Sequence, residues 1–345
     1  MTYTFKTLLV TGGAGFIGSD FVRYMVETYP DLQLISFDKF TYAGNPENLA
    51  PVRNAPNFIS VRGDIADREA VRATLDEYHV DGIVNFAAET HVDRSILDPD
   101  AFLITNTVGV NIVLEAAKAH NVKRVLHVST DEVYGDIPPG QFSVETDPLA
   151  PRNPYSASKA AGELLVRAYH ITHGLDAVIT RGSNTYGPYQ YPEKLIPFFV
   201  TEALDDKPLP LYGDGMQIRD WLYVRDHATG IATALFEGAA GEIYNVAGES
   251  HQHNIAITRR LLQLLGKPES LIKHVPDRAG HDARYAMTCD KLKALGWKQA
   301  YPFEQGFAAT VQWYVENEAW WRTIKSGEYL DYYKRQYAER LALSQ

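Results

Sequence analysis

The sequence predicts an α/β protein with a Rossmann-like, doubly wound parallel sheet and a smaller C-terminal substrate-binding lobe. Short apolar runs alternate with amphipathic helical patterns, and the runs fall at 8–10, 34–37, 59–61, 82–86, 124–129 and 177–181. This alternation is typical of βαβ units, and runs that are apolar throughout indicate strands covered by helices on both faces. After about residue 181 the alternation weakens and Pro and Gly become frequent, which indicates a second, loop-rich lobe.

Composition narrows the classes of function. The chain has 345 residues and a formal net charge of −10. This charge argues against sequence-independent binding of nucleic acid, because such binding needs a basic protein surface. Its single cysteine, Cys289, cannot form an intrachain disulfide, and neither a signal-peptide pattern nor an apolar stretch of about 18 residues is evident. We therefore expect a cytoplasmic protein without nucleic-acid or membrane partners. The scattered histidines lack the spacing of a metal site, so no metal is expected.

A glycine-rich turn joins the first predicted strand to the first helical pattern. The segment 11–18 contains both a Gly-x-Gly-x-x-Gly and a Gly-x-x-Gly-x-x-Gly pattern, each ending at Gly18. Such glycines let a pyrophosphate approach the backbone, and the helix N-terminus offers N–H groups to its oxygens. A glycine cluster alone can be a simple turn, but the second strand ends in Asp38, about 20 residues further on, where a carboxylate binds an adenosine ribose. A carboxylate there repels a 2′-phosphate, so the sequence predicts NAD rather than NADP.

The position of this motif gives a domain division. Residues 1–182 are predicted to form an NAD-binding Rossmann domain, and residues 183–345 mainly a substrate-binding lobe with C-terminal helices. A strand-like run at 242–247 suggests that the chain returns to the first domain. We expect these returns at about 222–248 and 304–322.

Tyr155 and Lys159 lie at the start of a helical pattern that follows Pro154. Four positions apart, the phenol and the ammonium group share one face of the helix. A nearby cation lowers a tyrosine pKa from about 10, so Tyr155 is a candidate acid and base for a hydroxyl undergoing oxidation. This spacing is common on solvated helix faces, and it gains weight here from the dinucleotide motif.

Two adjacent acidic residues, Asp131 and Glu132, follow Thr130 at the end of the predicted strand at 124–129. One carboxylate can abstract a proton while a neutral carboxylic acid protonates a leaving hydroxyl, so the pair fits an elimination of water. A plain dehydrogenase or a 4-epimerase needs neither group. The simpler interpretation is a pair of solvent-facing acids at a strand end.

With these motifs the chain resembles the extended short-chain dehydrogenase/reductases, and within them the nucleotide-sugar 4,6-dehydratases, above all those acting on dTDP-glucose. The resemblance covers nearly the whole chain and is carried by 11–18, 38–45, 86–96, 129–135, 154–159, 186–190, 192–197 and 219–221. The triplet Thr130-Asp131-Glu132 is much more diagnostic than the glycine motif or the Tyr-Lys pair. The resemblance also implies a homodimer.

The resemblance implies a mechanism with five catalytic residues. Tyr155, assisted by Lys159 and Thr130, takes the proton of the sugar 4-hydroxyl as hydride passes from carbon 4 to NAD. Glu132 then removes the proton on carbon 5 while Asp131 protonates the 6-hydroxyl, and water leaves. Hydride finally returns to carbon 6 and a proton returns to carbon 5, which gives a 4-keto-6-deoxy sugar nucleotide and regenerates NAD.

The candidate binding residues, from the motifs and the resemblance, form two sets. The cofactor set is Gly12, Gly15, Phe16, Ile17, Gly18, Asp38, Lys39, Thr41, Asp64, Ile65, Ala87, Ala88, Thr105, Tyr155, Lys159 and Asn184. The nucleotide-sugar substrate set is Thr90, Asn184, Glu193, Lys194, Leu195, Pro210, Tyr212, Arg219, Asn254, Arg278, His281 and Tyr285. Among these, Arg219 and Arg278 suit a diphosphate because a guanidinium offers planar, paired donors to phosphate oxygens.

Three other functions remain open from the sequence. A 4,6-dehydratase for a UDP-sugar or an N-acetylated sugar would use the same chemistry on another substrate. Thymine differs from uracil by one methyl group, worth about 1 to 3 kcal/mol of discrimination. A nucleotide-sugar 4-epimerase would return hydride to carbon 4 and release no water. A non-catalytic NAD sensor would typically have lost Tyr155 or Lys159, and both are present. Departures from the family pattern at Thr185, Ala279 and Ala283 touch the nucleotide end, and they weaken the choice of base more than the choice of reaction.

Overall fold

The computed structural model describes residues 4–277 and 280–326, together with Tyr329, Gln336, Tyr337 and Leu341. The main sheet has seven strands, all paired in parallel. In chain order they are β1 (Thr7–Thr11), β2 (Gln33–Asp38), β3 (Phe58–Arg62), β4 (Gly82–Asn85), β5 (Arg124–Thr130), β6 (Ala177–Gly182) and β10 (Ile243–Val246). Their spatial order is β10-β6-β5-β4-β1-β2-β3, so the sheet grows in both directions from β1.

Helices cover both faces of this sheet. Side chains of β1 alternate between two clusters, with Leu8 and Val10 in one and Leu9 in the other. On the first face α1 (Phe16–Thr28) packs against α8 (Val224–Glu237). On the second face α5 (Val110–Ala119) lies between α2 (Arg68–Tyr78) and α6 (Pro154–His173). The predicted doubly wound α/β fold is confirmed.

One helical stretch differs from the expectation that no apolar segment is long enough to span a bilayer. After α3 (Val92–Leu97), α4 (Pro99–Leu103) continues through a π-helical turn (Ile104–Gly109) into α5. The stretch Pro99–Ala119 has 21 residues and a mean hydropathy of 1.2, so by length and composition alone it could cross a membrane. Half of it is buried inside the protein, as in a core helix of a globular domain.

The second lobe is built from two small sheets and a helical layer. β7 (Asn184–Tyr186), β9 (Ile218–Tyr223) and β11 (His251–His253) form one sheet, and β8 (Leu209–Tyr212) pairs with β12 (Ile272–Val275) in the other. The helices are α7 (Leu195–Leu204), α9 (Asn254–Leu265), α11 (Phe303–Glu316) and α12 (Glu318–Ile324). Helix α10 (Asp290–Ala294) instead packs on β10 and α8, and its Leu292 is buried in the core of the first domain. Short 3₁₀ turns occur at Pro46–Val52, Asp131–Tyr134 and Glu269–Leu271.

The chain crosses between the lobes more than once. β10 pairs with β6 in the main sheet and α8 packs on α1, in the region where the sequence analysis places a return at 222–248. The second expected return, at 304–322, stays a prediction. Phe307, Val311 and Trp321 are buried in the core of the second lobe with α7 and α9, while Trp320 Nε1 donates to Asn48 Oδ1 of the first domain at 3.2 Å. The apolar side chains of this segment complete that lobe rather than the sheet. The two-domain division as a whole stays a prediction.

Candidate active site

The carboxyl ends of the main strands open onto one cleft between the sheet and the second lobe, with a cavity volume of about 410 Å³. The sequence-predicted cofactor, catalytic and substrate residues all line this cleft, apart from Arg278, which lies outside the described residues. The structure therefore brings together residues from nearly the whole length of the chain. Their individual roles stay predictions.

The glycine turn at the end of β1 is shaped for a close backbone approach. Gly12 has φ +68°, and a Cβ there would lie 2.6 Å from the backbone nitrogen of Ala87. A Cβ on Gly18 would lie 2.2 Å from the carbonyl oxygen of Gly12. Gly15, the residue before α1, provides no side-chain cap, so the first amides of the helix are offered to the cleft instead. This cradle fits an anionic pyrophosphate.

Gly18→Ala is expected to reduce retention of a dinucleotide at least about tenfold, since the turn must move to relieve the contact with Gly12. Dinucleotide bound per subunit after desalting measures the effect. Gly174→Ala is the matched control: Gly174 ends α6 with φ +69° and no neighbour within 4 Å. That change should lower stability by about 1 kcal/mol and leave retention unchanged. Equal retention in the two variants would contradict the assigned role of the turn.

Asp38 lies beside this turn at the end of β2. Its carboxylate oxygens accept hydrogen bonds from the backbone nitrogens of Ala14, at 2.9 Å, and Phe40, at 2.8 Å. Burial raises the pKa of Asp38, and these two hydrogen bonds oppose the increase. Next to it, Lys39 forms an ion pair with Asp64, with 2.7 Å between Nζ and Oδ2. Asp38, the residue predicted to bind the ribose, is thus held in place by the backbone of the glycine turn and of its own loop.

The end of β5 positions the acidic pair. Thr130 is the last strand residue and caps the following 3₁₀ turn, since its Oγ1 accepts a hydrogen bond from the backbone nitrogen of Glu132 at 3.3 Å. Tyr155 enters from the N-terminus of α6, which begins at Pro154 with a capping box formed by Asn153. α6 packs on both β5 and this turn. The strand end and the helix start therefore meet at one place in the cleft.

Asp131 is a buried carboxyl group whose neutral form is favoured. Burial raises the pKa of Asp131 well above its usual range, and the nearby carboxylates of Glu132 and Asp220 add to the increase. Arg219 and the Thr130 hydroxyl oppose it. Within the described part of the chain, its Oδ2 has no hydrogen-bond partner. A protonated carboxyl group is what a general acid requires.

The pKa of Tyr155 is raised, whereas the sequence predicted that a nearby cation lowers it. Burial raises the pKa of Tyr155, and Glu132 acts in the same direction while a hydrogen bond with Thr130 opposes both. Lys159 donates from Nζ to the carbonyl oxygen of Val128 at 2.7 Å, and burial lowers its pKa to about 8. Burial therefore decides the direction in which the pKa of each of the two groups moves.

The substrate-binding candidates form two groups. Arg219 packs over the Tyr285 ring, 4.3 Å from its centre, and Tyr285 donates to Asp282 at 2.6 Å. On the other side Lys194 donates from Nζ to the carbonyl oxygen of Thr90 at 2.8 Å. The carboxylate of Glu193 is only 2% exposed and pairs with Arg94, so it is engaged within the protein.

The cleft also contains residues that the sequence analysis did not assign to it. His227 lies against Gly182, with its Nδ1 2.8 Å from Thr185 Oγ1, and burial lowers its pKa to about 3, so it stays neutral. Tyr337 lines the cleft from the C-terminal part of the chain and stacks on Phe198, 5.1 Å between ring centres. No motif in the sequence pointed to either residue.

The chain is similar to known nucleotide-sugar dehydratases over most of its length. The family model described as GDP-mannose 4,6 dehydratase matches residues 9–310. A dTDP-glucose 4,6-dehydratase of Xanthomonas campestris pv. campestris is 49% identical over 343 residues, covering 94% of this chain and 97% of the relative. The same activity is named for a relative from Escherichia coli K12 that is 44% identical, with 96% of this chain and 99% of the relative covered.

Solved structures of this kind share the fold. A dTDP-glucose 4,6-dehydratase from Streptomyces venezuelae with NAD bound has a TM-score of 0.90 and 50% identity, covering 92% of this chain and 100% of the other. A Thermus thermophilus UDP-glucose 4-epimerase complexed with NAD has a TM-score of 0.84 and 32% identity, covering 90% and 99%. The fold therefore occurs with both reactions, and the cleft residues must distinguish them.

Proposed function

The chain belongs to the GDP-mannose 4,6-dehydratase family, and we propose that its cleft converts dTDP-glucose into the 4-keto-6-deoxy sugar nucleotide and water. The protein is an NAD-dependent hydro-lyase. The observation that carries the assignment is a buried, neutral-favouring Asp131 beside Glu132 and Tyr155 in one cleft. Oxidation alone needs the tyrosine, whereas loss of water also needs an acid and a base.

The residues of the first domain fit NAD. The glycine cradle and the start of α1 receive the pyrophosphate, and Asp38 binds the adenosine ribose. Bound NAD supplies the acceptor and later the donor of hydride. Ala87, which stands against Gly12, leaves room for the cofactor because its side chain is small.

Tyr155 moves the proton of the sugar 4-hydroxyl. Its phenol is buried and hydrogen-bonded to Thr130, and Lys159 follows one helical turn later. These are the groups that favour the phenolate during the step, against the desolvation that raises the tyrosine pKa. Lys159 is itself fixed by the Val128 carbonyl, so its ammonium group is held at the end of β5.

Asp131 and Glu132 divide the elimination between them. Asp131 holds a proton and delivers it to the 6-hydroxyl, because burial disfavours its ionised form. Glu132 removes the proton on carbon 5. Its backbone nitrogen donates to Thr130 Oγ1, which fixes the start of the turn, and its carboxylate lies 3.5 Å from the Tyr285 hydroxyl.

A panel of sugar nucleotides tests the activity. The purified protein, without added NAD, is incubated with dTDP-glucose, UDP-glucose and UDP-N-acetylglucosamine separately, and the products are analysed by mass spectrometry. Loss of one water from dTDP-glucose is expected. Water loss from a UDP-sugar alone would keep the chemistry and change the substrate, and no water loss from any, even with NAD supplied, would contradict the assignment.

We also propose that the chain forms a homodimer through α3 to α6. This face exposes apolar side chains whose removal from water would stabilise an isologous contact, namely Leu97, Leu103, Ile104, Val108, Leu164 and Ile171. Leu164→Glu combined with Ile171→Glu should convert a dimer to a monomer, measured as solution mass by light scattering. Leu264→Glu on α9, where the side chain is 38% exposed, is the control and should remain dimeric. A monomeric wild type, or a dimeric double variant, would refute this contact.

For the cellular location we propose the cytoplasm. The chain has one cysteine, and Cys289 is buried. Fractionation of cells that express a tagged chain tests this, and recovery with membranes or outside the cell would contradict it.

A further inference from the structure

Three segments from distant parts of the chain form one wall of the cleft. They are 41–44 after β2, 89–93 after β4, and 191–194 in the second lobe. The first begins directly beyond Asp38 and Lys39, which are predicted to bind the cofactor, and the other two carry the substrate candidates Thr90, Glu193 and Lys194, so this wall borders both predicted ligands. Anything that joins these segments controls how far this side of the cleft can open.

Four side chains, called the Arg94 cluster below, join the three segments. The guanidinium carbon of Arg94 lies 4.0 Å from the centre of the Tyr42 ring, and its Nε donates to Glu193 Oε2 at 3.0 Å. Tyr42 in turn packs edge-on against Tyr191, with ring centres 5.3 Å apart. One guanidinium therefore connects the loop after β2 with the second lobe across the cleft.

The ion pair of Arg94 and Glu193 is largely buried, so removing one partner would leave the other charge uncompensated. The side chains of Arg94 and Glu193 are 22% and 2% exposed, so solvent screens their ion pair weakly. Two further hydrogen bonds join the same segments, from Lys194 Nζ to the Thr90 carbonyl oxygen at 2.8 Å and between His91 Nε2 and the Glu193 carbonyl oxygen at 3.3 Å. The wall is thus held at several points, with Arg94 at the centre.

Arg94 also balances negative charge next to the cofactor side. Burial and Glu193 raise the pKa of Glu89, and Arg94 is the first group that opposes the increase. Without the guanidinium, Glu89 and Glu193 would face each other beside a cleft that must hold an anionic pyrophosphate. Loss of Arg94 would therefore both loosen the wall and repel the ligand.

We propose that the Arg94 cluster is a latch that retains NAD, so that the cofactor leaves only when the contacts of Arg94 with Tyr42 and Glu193 break. Arg94 is then a positioning residue that acts through the wall of the cleft. The proposal rests on the assignment of the cleft to NAD. It explains why a reaction that regenerates its cofactor in every turnover is carried out in a cleft closed by a cross-lobe ion pair.

The release rate of NAD tests the latch. The holoenzyme is loaded with labelled NAD and chased with an excess of unlabelled NAD, and thermal unfolding is followed in parallel. Arg94→Met removes the charge and Tyr42→Ala removes the ring, and each is expected to accelerate release about tenfold or more. Arg94→Lys keeps the charge but loses the planar stacking on Tyr42, so its rate of NAD release should lie between the rates of these two variants and that of wild type.

Arg322→Met is the matched control. Arg322 also packs over an aromatic ring, 4.4 Å from the centre of Trp321, and pairs with Glu318 and Asp205, but none of these three partners lines the cleft, whereas Glu193, the partner of Arg94, does. The Arg322→Met variant should release NAD at the wild-type rate. Release at the wild-type rate from both Arg94→Met and Tyr42→Ala would overturn the latch and leave the proposed function intact. A wild type that retains no NAD after loading would overturn the cofactor assignment and the latch with it.

Discussion

The Asp131→Asn variant is expected to lose water from its substrate about 10²- to 10⁴-fold more slowly than wild type, while oxidation at carbon 4 continues. Asn has the shape of a protonated carboxyl group, so the buried site should keep its packing. Its amide cannot deliver the proton that the departing 6-hydroxyl needs. The block therefore falls after oxidation, and reduced nicotinamide should accumulate on the enzyme during a single turnover.

Rapid absorbance measurements with product analysis in the same reaction would test this. Asp147→Asn is the matched control, because Asp147 caps a nearby turn by accepting from the Val144 nitrogen at 3.0 Å and is not a cleft residue. It should dehydrate at the wild-type rate. If Asp131→Asn did so too, the assigned role of Asp131 as the acid would be wrong.

Tyr155→Phe is expected to stop the reaction one step earlier. Without the phenol no group at this position accepts the 4-hydroxyl proton, so oxidation itself should fall by about 10²- to 10⁴-fold. Reduced nicotinamide should then not accumulate, in contrast to Asp131→Asn. Because the ring remains and packs edge-on against Phe102, at 6.3 Å between centres, stability should change little.

Tyr169→Phe, on the same helix, provides the control for this variant. The Tyr169 hydroxyl donates hydrogen bonds to the side chains of Asn111 and Glu115, and Tyr169 does not line the cleft. Its oxidation rate should match wild type. Accumulation of reduced nicotinamide in Tyr155→Phe at the wild-type rate would show that another group takes the proton.

The sequence was sufficient for the strands of the main sheet and for the motif residues that line the cleft, but not for His227 and Tyr337. Periodicity and glycine spacing are local signals, and β1, the turn to Gly18 and Asp38 lie within one βαβ unit, so their arrangement follows from the chain direction alone. The acidic pair was recognisable because it directly follows Thr130 at a strand end. The comparisons confirm the predicted family, cofactor and reaction.

What the sequence did not reveal depends on contacts between distant segments. Segment 304–322 packs in the second lobe because its aromatic side chains meet α7 and α9, and no pattern within it indicates that partner. The pairing of Glu193 with Arg94, 99 positions apart, is equally non-local. The raised pKa of Tyr155 arises from burial, whereas the helical spacing predicted only the nearby Lys159.

The fate of the hydrogen on carbon 4 tests the central claim most directly. dTDP-glucose carrying deuterium at carbon 4 is converted by the holoenzyme, and the product is examined by mass spectrometry and NMR. Our account predicts a 4-keto product that has lost one water and carries the deuterium in its methyl group at carbon 6. Deuterium that stays on carbon 4 of a product that has lost no water would contradict the dehydratase and indicate a 4-epimerase.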